Sequence, residues 1–184
     1  MKALIAIFAV LGFLGALVAT LVYAGFYDIA ADDPHWGVTG NFIEAARERS
    51  IERQSGDVGT PPALDDPSRL AMGAEHYDEM CVECHLAPGK EENELRAGLN
   101  PKPPKLAAPG DHRTPEHDFW IIKHGIKMTA MPAWGVTHDD RSIWAMTTFV
   151  QKLPGLSRAE YDLLVANGRA EGHSHEGGEH HHDD

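Results

Sequence analysis

The chain has two cysteines, Cys81 and Cys84, and both fall in the pentapeptide "CVECH" at residues 81–85. That spacing limits what can be built around it. A zinc site takes about four ligands, commonly two cysteine pairs or cysteines with a histidine pair, and no such set accompanies these two. A dithiol redox pair of the C-x-x-C kind belongs with a βαβ pattern, which the sequence lacks. The third chemistry is covalent haem attachment at C-x-x-C-H. Thiols three residues apart at the end of a helix reach the two vinyl groups of one porphyrin. His85 then lies under the ring and supplies the iron with a proximal nitrogen.

A haem iron held by one histidine has a sixth position, and a methionine sulfur there gives an electron-transfer site with raised potential. The stretch "KHGIKMTAMPAWG", residues 123–135, offers Met128 and Met131. Pro132 drives the residue before it away from helical backbone, so Met131 is presented from a stiff extended loop that can lean over a flat ring. Met128 has no such constraint and is assigned to packing, the usual role of methionine. His124 and His138 are the alternatives, as the second ligand of a bis-histidine site.

Around these two stretches the pattern is helical. Leu70, Gly73, Ala74, Tyr77 and Met80 share a face within 68–80. Residues 88–113 are irregular, with five prolines and three glycines. Thr114 caps a helix with Pro115 at its first position, and Gly125 stops it. Asp140 to Leu153 forms the next helix. Ser157 with Glu160 makes a capping box for a last one, ending at Asn167-Gly168. No run alternates as a strand does, so an all-α domain is expected.

With those residues in view, 68–155 resembles a class I cytochrome c domain: Gly73, Tyr77, "CVECH" and "MPAWG" follow that family's order of helix, attachment motif and distal Met-Pro loop. The resemblance implies a helical fold around one covalently bound haem c. It implies that the first and last helices of the domain cross at Gly73 against Phe149. It also implies a proline carbonyl that accepts the Nδ1–H of the proximal histidine, a bond that fixes the imidazole and raises its basicity. In "PKPPKL" that place falls to Pro104, although the glycine preceding it in many relatives is replaced here. Trp120, Trp134 and Arg96 are candidate donors to the propionates. The site expected from the sequence is therefore Cys81, Cys84, His85, Met131 and Pro104, with His85 and Met131 on the iron.

The remaining chain divides by composition. After Lys2 nothing charged occurs from Ala3 through Tyr27, a helix of roughly 37 Å against a bilayer core of about 30 Å. Residues 1–27 are read as an uncleaved single-span anchor rather than a cleaved leader, whose apolar region is shorter. With Lys2 inside and Asp28, Asp32 and Asp33 outside, the haem domain is expected on the periplasmic side of the inner membrane. Tyr23, Phe26, Tyr27 and Trp36 suit the interfacial aromatic belt. Residues 28–67 read as an acidic linker of net charge −6, with a short helix over 41–54. Residues 68–168 form the domain, and 169–184 an apolar-poor tail expected to be disordered.

The formal net charge of −12 excludes nucleic acid as a partner. Lys102, Lys105, Lys123 and Lys127 flank the distal sequences, while Asp78, Glu79, Glu83, Glu91, Glu92 and Glu94 surround the attachment motif. This reads either as a dipole steering an acidic partner or as a mixed solvated surface. The expected function is one-electron transfer between redox partner proteins, with no small-molecule substrate and no enzymatic turnover. The alternatives are a cytochrome subunit of a dehydrogenase or oxidase complex, and metal handling by the tail "HSHEGGEHHHDD", whose five histidines suit weak binding of divalent ions.

Overall fold

The structure, a computed structural model, describes residues 1–110 and 113–176. Among them every regular element is helical and no strand occurs. Helix α1, Lys2–Tyr23, buries no residue in the protein and is long and apolar enough to cross a membrane. Helix α2, Gly37–Ser55, begins four residues earlier than its apolar pattern suggests. The domain then opens at α3, Pro67–Met80. Asp66 caps it by accepting from the backbone N–H groups of Ser68 (3.0 Å) and Arg69 (3.3 Å), with Pro67 at the first turn.

Two four-residue turns, α4 (Val82–His85) and α5 (Glu94–Ala97), carry the chain around the attachment motif. Helix α6, Pro115–His124, starts under a Thr114 cap and ends where Gly125 takes φ +65°. Helix α7, Asp140–Lys152, is capped by Asp139, which accepts from Ser142 N–H at 2.9 Å. Helix α8, Arg158–Glu176, opens with the Ser157–Glu160 box.

Helix α3 is the hub, lying against both α7 and α8, while α6 packs on α7. Two glycines set how closely it can be approached. A Cβ on Gly73 would stand 2.0 Å from the carbonyl oxygen of Ala145 and 2.9 Å from Cβ of Phe149, so α3 and α7 touch backbone to backbone there. Gly168 does the same for α8, where a Cβ would sit 2.2 Å from the oxygen of Ala71. Between these crossings Tyr77, Phe149 and Tyr161 meet, with ring centroids 5.3 to 6.5 Å apart. Phe119 of α6 stacks on Trp144 of α7 at 4.2 Å and closes the other side.

Two sequence expectations are corrected. Asn167-Gly168 does not end the last helix: α8 continues to Glu176, so residues 169–176 are helical rather than disordered. Gly168 is needed for close contact with α3, and Arg169 beyond it reaches Asp78 at 2.8 Å. The rest of the tail, 177–184, lies outside the described residues. The stretch before the domain is also not detached. Ile51 of α2 is buried, and Glu48 pairs with Arg113, just ahead of α6, at 2.9 Å.

Placing a methyl group at Gly168 tests the crossing. In an open helix alanine is better than glycine by about 1 kcal/mol, whereas here the methyl meets a carbonyl, and overpacking costs about 1–3 kcal/mol. Gly168→Ala is expected to lower the thermal unfolding midpoint. An unchanged or raised midpoint would mean that α3 and α8 are not in contact at this position.

Candidate functional site

The attachment stretch is one tight turn. The N–H groups of Cys84 and His85 both donate to the carbonyl of Cys81, at 3.1 and 2.9 Å. Immediately after it, Leu86 is held at φ +61°, a left-handed backbone that a non-glycine residue adopts only when its surroundings impose it. They do so here. The Leu86 side chain is buried, its carbonyl accepts from the Tyr77 hydroxyl at 2.6 Å, and the His85 carbonyl accepts from Leu106 N–H at 3.3 Å. The chain therefore leaves His85 at a fixed angle.

His85 is oriented by its own ring. Its Nδ1 lies 3.0 Å from the carbonyl oxygen of Pro104. A carbonyl only accepts, so Nδ1 carries the proton and Nε2 keeps its lone pair. Burial pushes the imidazole pKa down, with nearby Arg96 adding to the effect and the Pro104 bond opposing it. The neutral ring, the form that ligates a metal, is favoured. Burial likewise pushes the Cys81 thiol up to about 12, with Cys84 close by. A redox dithiol needs a lowered pKa, so this thiol environment is the opposite of an activated one.

Arg96 holds the loops together. It is 3 % exposed. Its Nε donates to the carbonyl of Cys84 at 2.9 Å, Nη1 to the Glu92 carboxylate at 2.6 Å, and Nη2 to the carbonyl of Pro103. One guanidinium thus joins the attachment turn to the residue next to Pro104. Sequence reading offered Arg96 as a propionate donor; the structure commits its fork to these three acceptors instead. Asn93, three residues earlier, caps this short helix by accepting from the Arg96 backbone N–H, but nothing local announces where the guanidinium goes.

The second stretch folds back on the end of α6. A Cβ on Gly125 would lie 2.6 to 2.8 Å from backbone atoms of Met131, Pro132 and Ala133, and one on Gly135 would lie 2.7 Å from the Lys123 side chain. Ile126 N–H donates to the Met131 carbonyl at 3.1 Å, and Met131 N–H to the Thr129 hydroxyl at 3.1 Å. The Met131 side chain packs against the same core cluster that Cys81 and Leu106 line. Met128 is placed quite differently from its expected packing role: it is 99 % exposed, at φ +59° on the tip of the turn. His124 is exposed beside the Trp120 ring. His138 meets the half-buried His76 of α3 edge-on at 5.5 Å, and burial, then His138, push the His76 pKa down.

Three of the four lysines expected to ring the distal edge have acidic partners. Lys102 and Lys105 lie 3.7 and 3.1 Å from Glu92, and Lys123 lies 2.6 Å from Asp140. Among them only Lys127 has no ion pair among the described residues, which favours the mixed solvated surface over a steering dipole.

Residues 68–150 match the family model described as cytochrome c oxidase, cbb3-type, subunit III. This part of the chain is a class I c-type cytochrome domain, and its family binds haem c covalently. No curated protein and no solved structure matches the chain.

The residues present fit that group. Trp134 Nε1 is buried and, among the described residues, has no hydrogen-bond partner. An unmade bond of this kind costs about 1–3 kcal/mol. A carboxylate of a bound porphyrin would be an acceptor for this N–H. His85, with its proton on Nδ1, and the thiols of Cys81 and Cys84 on the same turn complete a donor set suited to a covalently attached, nitrogen-ligated iron.

Removing the guanidinium leaves the carbonyls of Cys84 and Pro103 without their donor. Arg96→Ala is expected to lower the stability of the haem-loaded protein by about 2–3 kcal/mol, read from urea unfolding. Arg96→Lys, lacking the fork, should recover less than half of the loss. Full recovery by lysine would mean that only the charge matters.

Proposed function

We propose that this chain is a membrane-anchored one-electron carrier in which Cys81 and Cys84 hold one haem through thioethers, with His85 and Met131 as its axial ligands. The haem supplies a ferric/ferrous couple when bound. The chain's own residues set its surroundings. Pro104 fixes the His85 imidazole and keeps its proton on Nδ1, Met131 is presented from an extended loop pinned by Gly125, and Trp134 offers a buried N–H to a propionate. The observation that carries this reading is the 3.0 Å bond from His85 Nδ1 to Pro104, since in a C-x-x-C-H turn it fixes the tautomer whose Nε2 lone pair an iron takes.

Helix α1 supports a single-pass anchor in the inner membrane, and the order Lys2, apolar run, then Asp28, Asp32 and Asp33 supports a periplasmic haem domain. That domain runs from α3 to the end of α8. The electron partners are redox proteins. Met128 and Val136, both exposed on the distal loop, give a docking partner apolar contact. A second reading, a fixed cytochrome subunit of an oxidase, is favoured by the family description over 68–150. Weak divalent-metal binding by the tail histidines is a further property we assign on composition.

The methionines separate cleanly. Met131→Ala is expected to abolish the weak far-red absorption of sulfur-ligated ferric haem, while Met128→Ala leaves it intact; the reverse pattern would overturn the assignment. Purification in mild detergent is expected to yield a lone haem-containing chain. Stoichiometric co-purifying subunits would instead place it in a complex.

A further inference from the structure

Outside α1, and apart from scattered residues such as Met128, Val136 and Leu163, exposed large apolar side chains are concentrated in one short stretch of chain. Phe26, Ile29, Trp36, Val38 and Phe42 lie in the link after α1 and the first turns of α2, each two-thirds exposed or more. The link, residues 24–36, is not an open tether. The Tyr27 hydroxyl meets His35 Nδ1 at 2.8 Å, and the Tyr27 ring meets that of Trp36 edge-on at 5.1 Å. The residue just ahead of α2, Trp36, is therefore tied to one four positions past the end of α1, a distance of chain that spans at most about 14 Å. Extended, the full link would reach about three times as far.

Helix α2 has two different sides. Ile51 is buried in the domain, and Phe42 is nine residues earlier, two and a half turns, which puts it on the opposite side. Val38, Ala45 and Ala46 fall near Phe42 on that outward side. Arg49 and Arg53, close to two and three whole turns from Phe42, lie there as well, further from α1. A side that is apolar near the end of a membrane span and then carries arginines, Arg49 beside Glu52 at 3.1 Å and Arg53 one turn on, suits a helix lying in the headgroup–acyl boundary, where a long cation reaches phosphates.

We propose that the outward side of α2's first half, with Phe26 and Trp36, is seated in the interface of the bilayer that α1 crosses. This rests on α1 being a membrane anchor. Its consequence is that the haem domain is held against the membrane at a set orientation, because the other side of the same helix is fixed to the domain by Ile51 and by Glu48 with Arg113. Continuity with α1 argues for lipid as the occupant, since the apolar patch begins where the span ends.

The test uses nitroxide labels on the full-length haem-loaded protein, iron reduced, in nanodiscs of phosphatidylcholine with phosphatidylglycerol. Labels are placed by Phe13→Cys in α1, Phe42→Cys in α2 and, as a water-exposed control, Leu163→Cys in α8. Collision with oxygen and with a water-soluble nickel chelate reports depth. The label at 42 is expected to meet the nickel chelate several-fold less than the label at 163, while the label at 13 is shielded more fully. If the label at 42 matches the one at 163 while 13 stays shielded, the proposal is overturned and the anchor stands. A label at 13 that reads as water-exposed removes the anchor and this seating with it. Shielding at 42 in native membranes but not in lipid-only nanodiscs would show that a protein covers the face, and overturns the assignment to lipid.

Discussion

A single buried cation organises the side of the domain that carries the attachment motif. The three donors of Arg96 reach acceptors separated along the chain, on Cys84, Glu92 and Pro103, and the bond from His85 to Pro104 exists only if those segments are in register. A lysine has the charge without the fork. Glu92 sits at the rim of this network, where Arg96, then Lys105, hold its carboxyl below the usual range. The buried charge is thus compensated by a carboxylate that remains in contact with solvent, which avoids the full desolvation cost of an ion pair enclosed on both sides.

How much was legible in the sequence depends on whether a residue acts locally. Caps do: Asp66, Thr114 and Asp139 each serve backbone N–H groups two or three residues ahead, and their helices begin where the sequence reading puts them, within a residue. Attachment motifs do as well, since "CVECH" is a single turn. Glycine has two uses that look alike in a linear pattern. Gly125 allows a left-handed stop, as its place after the helical run implies. Gly168 allows two helices to touch, yet in the linear pattern it looks like a stop, because its reason, the Ala71 carbonyl, is almost a hundred positions away in the chain. Gly73 escaped the same fate only through family resemblance.

The side chains most easily misread were those whose partners are set by the irregular loop. Nothing in "PGKEENELRAGLNPKPPKL" says that one glutamate will collect an arginine and two lysines, so the lysines looked available for steering and Arg96 for a propionate. Met128 and Met131 show the reverse. Pro132 constrains Met131 from the adjacent position, and that difference is local, so the two could be told apart. What the sequence could not say is that Met128 would be left wholly in water at a positive φ.

The two halves of the site are built from unlike materials. Around His85 the chain is held by side-chain polar bonds, a buried guanidinium and an imposed left-handed Leu86. Around Met131 it is held by close backbone contact at Gly125, one hydroxyl from Thr129 and packing on the shared core. Contacts of the second kind exclude volume and set position, but they contribute few buried hydrogen bonds. Local opening in proteins follows the least-bonded segments. On the proposed ligation the iron's sulfur side therefore opens before its nitrogen side, and the covalent attachment at Cys81 and Cys84 keeps the ring in place while it does. A carrier needs this asymmetry in only one direction: the thioethers make loss of the distal contact reversible, since the porphyrin cannot leave.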